Sequence, residues 1–308
     1  MNFQQMRYVR ETVRQGLNLT AAAASLHTSQ PGVSKQIREL EDELGVEIFV
    51  RFGKRITQLT EPGKAVLQVI ERLLIEVENL KQTAAEFADQ RSGSLTIATT
   101  HTQARYALPG AVGEFKKRYP KVRLAIIQGS PPAIAQMVVD GQADIAVATE
   151  SIDHHDNLVA LPCYRWHHVV VVPPGHALLD RPKLTLEALA AHPIITYDSA
   201  FTGRSTINQA FASKNLTPNI VLSAIDSDVI KTYIELGLGV GILNSIAFDA
   251  RRDGHLKKID AGHLFAERTT FLALHEGAYL RSFTYEFIEL FAPSLTRADV
   301  DRALRPTK

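Results

Sequence analysis

Residues 18–57 read NLTAAAASLHTSQPGVSKQIRELEDELGVEIFVRFGKRIT, and their punctuation sets the architecture of everything upstream and downstream. Asn18 or Thr20 can cap a short Ala-rich helix over Ala21 to His27, whose side chains cost little entropy in a helix. Ser29 offers a second cap, and Pro31 sits in the first turn after it, where a missing N–H removes no helical bond. Val33, Ile37, Leu40 and Leu44 then recur at steps of four and three, and Gly45 supplies the left-handed stop. Two helices separated by so short a turn form a helix-turn-helix, whose second helix enters a DNA major groove. Ahead of them Met6, Val9 and Val13 mark one more helix, ended by the stretch from Gly16.

Off the apolar stripe lie Gln30, Ser34, Lys35 and Arg38, so Gln30 and Ser34 can meet base edges while Lys35 and Arg38 reach phosphate or guanine. Thr20, Ser29 and Pro31, at the starts of the two helices, are expected on the same DNA-facing side. Residues Ile48 to Thr57 read as two short strands around Gly53 with Arg51, Lys54 and Arg55 near the tip, a basic wing suited to phosphates or a minor groove. The local cluster is needed, because a net charge of +1 over 308 residues gives no global attraction to nucleic acid.

From Pro62 a long helix is predicted, with Val66, Ile70, Leu73, Val77, Leu80, Ala84 and Phe87 alternating steps of four and three. That seam implies a coil shared by two chains, and two recognition helices on a twofold axis would read a pseudo-palindromic operator. The polar stretch Asp89 to Gly93 ends the segment. Domain ranges follow: 1–60 for the winged helix-turn-helix, 61–92 for the linker helix and 93–308 for the remainder.

In that remainder strand patterns over Leu95 to Thr99, Arg123 to Gln128, Asp144 to Thr149, His168 to Val172, Ile220 to Ala224 and Gly239 to Leu243 alternate with helical ones, which predicts mostly parallel α/β sheets. Ligand sites in such sheets lie beyond the carboxyl ends of strands, where helix N-termini can hold an anion. Three polar clusters sit at such points: Thr100, Thr102 and Gln103 after the first strand, Thr149 at the end of another, and Thr202-Gly203-Arg204-Ser205 opening a helix. Each could simply be a helix cap.

Other features argue for little. Gly237-Leu238-Gly239-Val240-Gly241 follows a helix and precedes a strand, the reverse of a dinucleotide loop. The adjacent pairs His154-His155 and His167-His168 lack metal-ligand spacing, so no metal or other cofactor is expected. Cys163, the single cysteine, reads as a small apolar side chain and excludes an internal disulfide. No nucleophile elbow, P-loop or paired-carboxylate motif points to an enzyme. A polar, charged start and the lack of an 18-residue apolar run lead to the expectation of a cytoplasmic protein without a membrane partner.

Ala21 to Phe49, with its Ser-Gln-Pro turn and Leu-Glu-x-Glu-Leu-Gly exit, closely resembles the helix-turn-helix of LysR-type regulators. The stretches TTHTQARYALPG, ADIAVATE, FTGRS and DVIKTYIELGLGVGI look like the CysB branch of that family, which regulates sulfur assimilation. The resemblance implies a non-enzymatic activator of homodimeric or homotetrameric form that binds promoter DNA and contacts RNA polymerase. It implies a C-terminal effector domain like a periplasmic binding protein, with subdomain I over about 93–163 and 268–292 and subdomain II over about 164–267. Its cleft would hold a small anion such as sulfate, thiosulfate, acetylserine or adenosine phosphosulfate at Thr100, Thr102, Gln103, Thr149, Trp166 and Thr202. A regulator of sulfonate and sulfate-ester use, of the Cbl or SsuR type, carries nearly the same motifs, and an anion-binding protein without regulatory role is the alternative of another class.

Overall fold

The computed structural model describes residues 1–53, 55–149, 152, 155, 157–199 and 202–305, with only the backbone of Thr202. The chain divides into two compact units, Met1–Phe87 and Ala88–Lys308.

The first unit opens with α1 (Phe3–Arg14), capped reciprocally by Asn2 and Gln5, α2 (Leu19–Ser25), capped by Asn18, and α3 (Gln30–Leu44), capped by Ser29 and stopped by Gly45 at φ 69°. A two-stranded ribbon, β1 (Phe49–Phe52) and β2 (Arg55–Leu59), pairs antiparallel as the wing, and α4 (Glu61–Ala88) follows. Val33, Ile37 and Leu40 are fully buried with Val9, Ile48 and Phe49. Leu44, expected in that stripe, is 39% exposed, and Glu41 is buried instead. Its carboxylate accepts the Ile48 and Phe49 N–H groups at 2.8 and 3.1 Å and pairs with Arg51 at 2.6 Å, so a satisfied charge ties the wing to α3.

The expected seam of α4 divides in two. Ile70, with Leu74, is buried in the helix-turn-helix core and Val66 packs against it, because the first turns of α4 lie on α1 to α3. Leu73, Leu80 and Phe87 stay exposed, Phe87 at 86%, so about two heptads rather than three remain for a partner.

The second unit holds two five-stranded sheets. β3 (Gly93–Thr99), β4 (Val122–Gln128) and β5 (Ile145–Thr149) are parallel, with α5 (Leu108–Arg118) and α6 (Pro131–Val139) between them. β6 (Leu158–Trp166) ends in this sheet. After His167 alone, β7 (His168–Val172) begins the second sheet. There α7 (Leu186–Ala190), β8 (Ile194–Tyr197), α8 (Thr202–Ser213), β9 (Ile220–Ala224), α9 (Ser227–Glu235), β10 (Val240–Asn244) and β11 (Lys257–Asp260) follow. The chain then returns through 261–267 to β12 (Arg268–His275), α10 (Ser282–Phe291) and α11 (Arg297–Leu304) on the first sheet.

Strand orders are β4-β3-β5-β12-β6 and β11-β7-β10-β8-β9. Contrary to the mostly parallel expectation, β6, β7, β11 and β12 pair antiparallel, because these strands carry the two crossings between sheets. Separate cores form on the two sheets, one around Phe115, Phe283 and Phe287, another around Ile194, Phe211 and Val240. No described helix is long and apolar enough to cross a membrane.

Candidate functional site

On the first unit α3 presents Gln30 and Ser34 half-buried, with Pro31, Lys35 and Arg38 exposed. Thr20 and Ser29 are also exposed, the Ser29 hydroxyl accepting from Gly32 N–H at 3.3 Å. Lys35 lies 3.7 Å from Glu39 in a solvated i,i+4 pair, which holds it weakly. Arg55 is exposed at the wing, and Lys54 falls outside the described residues. Arg51 departs from expectation. Its guanidinium serves the buried Glu41, so it braces the wing rather than extending the outward-facing basic cluster.

In the second unit Thr100, Thr102, Gln103, Pro131, Thr149, Trp166, Tyr197, Gly203 and Asn244 line one cleft of about 400 Å³, including its mouth. Four of them stand at or just beyond the carboxyl ends of parallel strands, Thr100 after β3, Thr149 on β5, Tyr197 on β8 and Asn244 on β10. The cleft therefore lies where both sheets offer strand ends, and its lining comes from both. Five of the six expected effector residues meet here. The side chain of the sixth, Thr202, lies outside the described residues, but Gly203 beside it supplies lining from the first turn of α8.

Pro131, Tyr197 and Asn244 were not among the expected residues, and Gly203 was expected only as part of the 202–205 cluster. Strand-end logic would have selected Asn244, since β10 ends on it; Tyr197 was hidden because β8 is only four residues long.

The lining donates without carrying charge. Gln103 is 2% exposed; its carbonyl accepts from the Tyr164 hydroxyl and its amide donates to Thr270 Oγ1 at 3.3 Å. Tyr197 accepts from the Asn244 N–H at 3.1 Å and lies 2.8 Å from Ser227 Oγ, with burial pushing its hydroxyl pKa up and keeping it protonated. Trp166 is 4% exposed, and its indole N–H meets no partner among the described residues. A buried donor left unmade costs about 1–3 kcal/mol.

Behind the lining His168 is fully buried between Trp166 and Phe265, at centroid distances of 5.0 and 5.2 Å, and burial drops its pKa to about 4. A side chain on Gly203 would begin 3.4 Å from His168 Nε2 and 3.7 Å from the Trp166 ring.

The residues carrying Thr102 and Gln103 wind into a π-helical turn, Gln103–Ala107, a rare form often found at functional sites. His101, Asp226 and Asp228 beside it have the composition of a divalent-cation site. Asp228 is already committed to Tyr106 at 2.5 Å, Lys231 at 3.1 Å and Arg105 at 3.2 Å, so the group is an ion-pair network and a poor cation ligand set. Burial pushes the Cys163 thiol to about 12, leaving it protonated and unreactive.

Comparison with known proteins matches residues 3–64 to the bacterial regulatory helix-turn-helix protein of the lysR family and residues 88–296 to the LysR substrate binding domain. The chain is similar to the HTH-type transcriptional regulator CysB of Burkholderia cenocepacia, at 59% identity over 99% of this chain and 97% of that protein. It is also similar to SsuR of the same organism, at 57% identity over 99% of each. The solved cofactor-binding domain of the Cbl transcriptional regulator superposes with a TM-score of 0.68 at 45% identity, covering 70% of this chain and 95% of that one. With both of its parts matched and a named regulator aligned along nearly its whole length, the chain belongs to the LysR family of bacterial helix-turn-helix transcription regulators.

Proposed function

We propose that the protein activates sulfur-assimilation genes as a homo-oligomer, with α3 in the major groove, Lys35, Arg38 and Arg55 on phosphates, and a sulfur oxyanion held in the effector cleft. The observation that carries the reading is a chargeless lining of hydroxyl and amide side chains at the strand ends of two sheets. Such a lining solvates an oxyanion by hydrogen bonds and helix N-terminal N–H groups, as the α8 start at Gly203 provides. Behind its open mouth the cleft encloses only about 40 Å³ for water-sized centres, room for a few waters, which favours a compact effector such as sulfate or thiosulfate over a nucleotide.

Because Thr100, Thr102, Gln103 and Thr149 come from the first sheet and Tyr197, Gly203 and Asn244 from the second, a ligand bridging them has differential affinity for closed and open arrangements. That differential affinity is what drives the regulatory change. The exposed Leu73, Leu80 and Phe87 of α4 pair with a second copy, and the twofold sets two half-sites. The high identities to CysB and SsuR, together with the motif resemblance, support sulfur compounds as the signal.

Calorimetric titration of the full chain with sulfate, thiosulfate, acetylserine, adenosine phosphosulfate and an alkylsulfonate tests the reading. Saturable binding of one compact sulfur anion, without turnover and lost in Thr100→Ala, is expected. Binding of none, or retention of full affinity in Thr100→Ala, overturns the cleft assignment and leaves the DNA-binding role standing.

A further inference from the structure

Beside the cleft one seam joins the two sheets' halves of the second unit, and most of its members lie outside the ligand lining. The π-helical turn belongs to the first sheet and α9 to the second. Across that seam His101 Nε2 lies 3.1 Å from Asp226, Arg105 Nε donates to Asp228 at 3.2 Å, and the Tyr106 hydroxyl donates to Asp228 Oδ1 at 2.5 Å. Lys231, 6% exposed, reaches back across the seam to donate to Tyr106 at 2.8 Å, while Asp253 at 2.9 Å and the Ala247 carbonyl at 3.1 Å hold it from its own side.

Tyr106 is the hub. Its hydroxyl accepts from Lys231 and donates to Asp228 at once, and burial followed by the Asp228 bond pushes its pKa to about 12, so it stays a donor. Burial would raise the Asp228 carboxyl, but hydrogen bonds from Tyr106 and Lys231 outweigh it and hold the pKa low. Nearer the cleft Thr102 Oγ1 lies 3.4 Å from Ser227 Oγ, the first residue of α9, and Ser227 Oγ lies 2.8 Å from the hydroxyl of the lining Tyr197. Ser227 and Asp228, neighbours in the first turn of α9, thus set the ligand lining directly beside the seam.

We infer that Tyr106, Asp228 and Lys231 form a clasp that holds the cleft closed before ligand arrives and so sets effector affinity from outside the pocket. The inference rests on the effector reading above. None of the three lines the cleft, so they are positioning residues: they fix where the turn bearing Thr102 and Gln103 sits against α9. A ligand for which only the closed form is competent binds with its affinity reduced by the fraction of closed protein. If removal of the Tyr106 hydroxyl leaves about a tenth of the molecules closed, the apparent Kd rises about tenfold with every ligand contact intact.

The test uses the full chain as Tyr106→Phe and, separately, Asp228→Asn, each checked for native circular dichroism and melting. Two readouts are taken. Calorimetry with sulfate and thiosulfate should show Kd raised about tenfold in both variants, and equal Kd values in wild type and variants would overturn the clasp. Acrylamide quenching of Trp166, the single tryptophan and itself on the cleft wall, needs no ligand. Quenching should rise in both variants and return to the wild-type value at saturating anion, a reversal that a purely local packing defect would not show. Unchanged quenching in both variants overturns the clasp even if wild type binds neither anion, and that last result by itself refutes only the effector reading.

Discussion

His168 gives the sharpest test of the effector unit's packing. Its ring is fully buried, and burial, opposed by a backbone hydrogen bond at Gly203 and aided by the nearby Arg268 and His167, lowers its pKa from 6.5 to about 4. A depressed folded pKa means that the unfolded chain takes up this proton first as pH falls. Stability is then fully present above pH 6.5 and is lost progressively between 6.5 and about 4. The difference of 2.5 pH units between those two values corresponds to about 3 kcal/mol at 1.36 kcal/mol per unit. His168→Phe keeps a ring between Trp166 and Phe265 and removes the titration. Urea unfolding followed by Trp166 fluorescence, from pH 7.5 down to 4.5, measures both chains; Trp166 is the sole tryptophan and sits beside the ring. Wild type should lose about 2–3 kcal/mol more than the variant over that range. Parallel pH profiles would show that His168 is not held neutral in the folded protein, and the account of a buried imidazole with a depressed pKa would fall.

Other perturbations separate the remaining roles. Lys35→Ala and Arg55→Ala should each lower the slope of log K against log salt for operator binding by about 1, whereas Gln30→Ala should narrow the gap between operator and random DNA at an unchanged slope; equal slopes in all three, measured by fluorescence anisotropy, would remove the phosphate role. Glu41→Ala strips the partner from Arg51 and from two backbone N–H groups, and should cost the first unit about 3 kcal/mol in chemical denaturation; a loss below about 1 kcal/mol would mean the wing is held by apolar packing alone. Gly203→Ala places a methyl in the cleft at ordinary van der Waals distances of 3.4–3.7 Å, so melting should hold while effector affinity drops at least tenfold; equal affinity would move the ligand away from α8. Leu80→Asp with Phe87→Asp should shift sedimentation toward smaller species, since each side chain is worth about 1.5–3 kcal/mol when buried by a partner.

Local rules reached as far as local forces dominate. Ser29, Pro31 and Gly45 bound α3 through its own capping chemistry, and the stripe Val33, Ile37, Leu40 needs no distant partner to be recognised. Glu41 could not be foreseen, because its burial depends on N–H groups seven and eight residues away and on Arg51. β6 escaped detection for a related reason: Pro162 inside a run argues against a central strand, yet β6 is the edge strand of its sheet and its register shifts opposite Thr270 and Phe271. Of the cleft, the hydroxyls at strand ends and the 202–205 cluster were readable, whereas Tyr197 joins it only once the second sheet turns its own strand ends toward the first.

That same geometry explains how a cleft without charged lining can hold an anion selectively. A buried cation would attract any anion and would itself need a counter-charge when the site is empty. Donors already fixed by the fold avoid that cost: Gln103 has its carbonyl occupied by Tyr164, and Tyr197 is tied to Ser227 and Asn244. What is left to face a ligand is the hydroxyl and amide side chains of the lining, which offer donors without charge. A fully ionised oxyanion such as sulfate can accept from all of them, while a phosphate that retains a proton at neutral pH must find an acceptor for it. The proposed cleft should therefore prefer sulfate to phosphate by at least tenfold; equal affinities for the two anions in competition calorimetry would show that charge, rather than donor arrangement, governs binding.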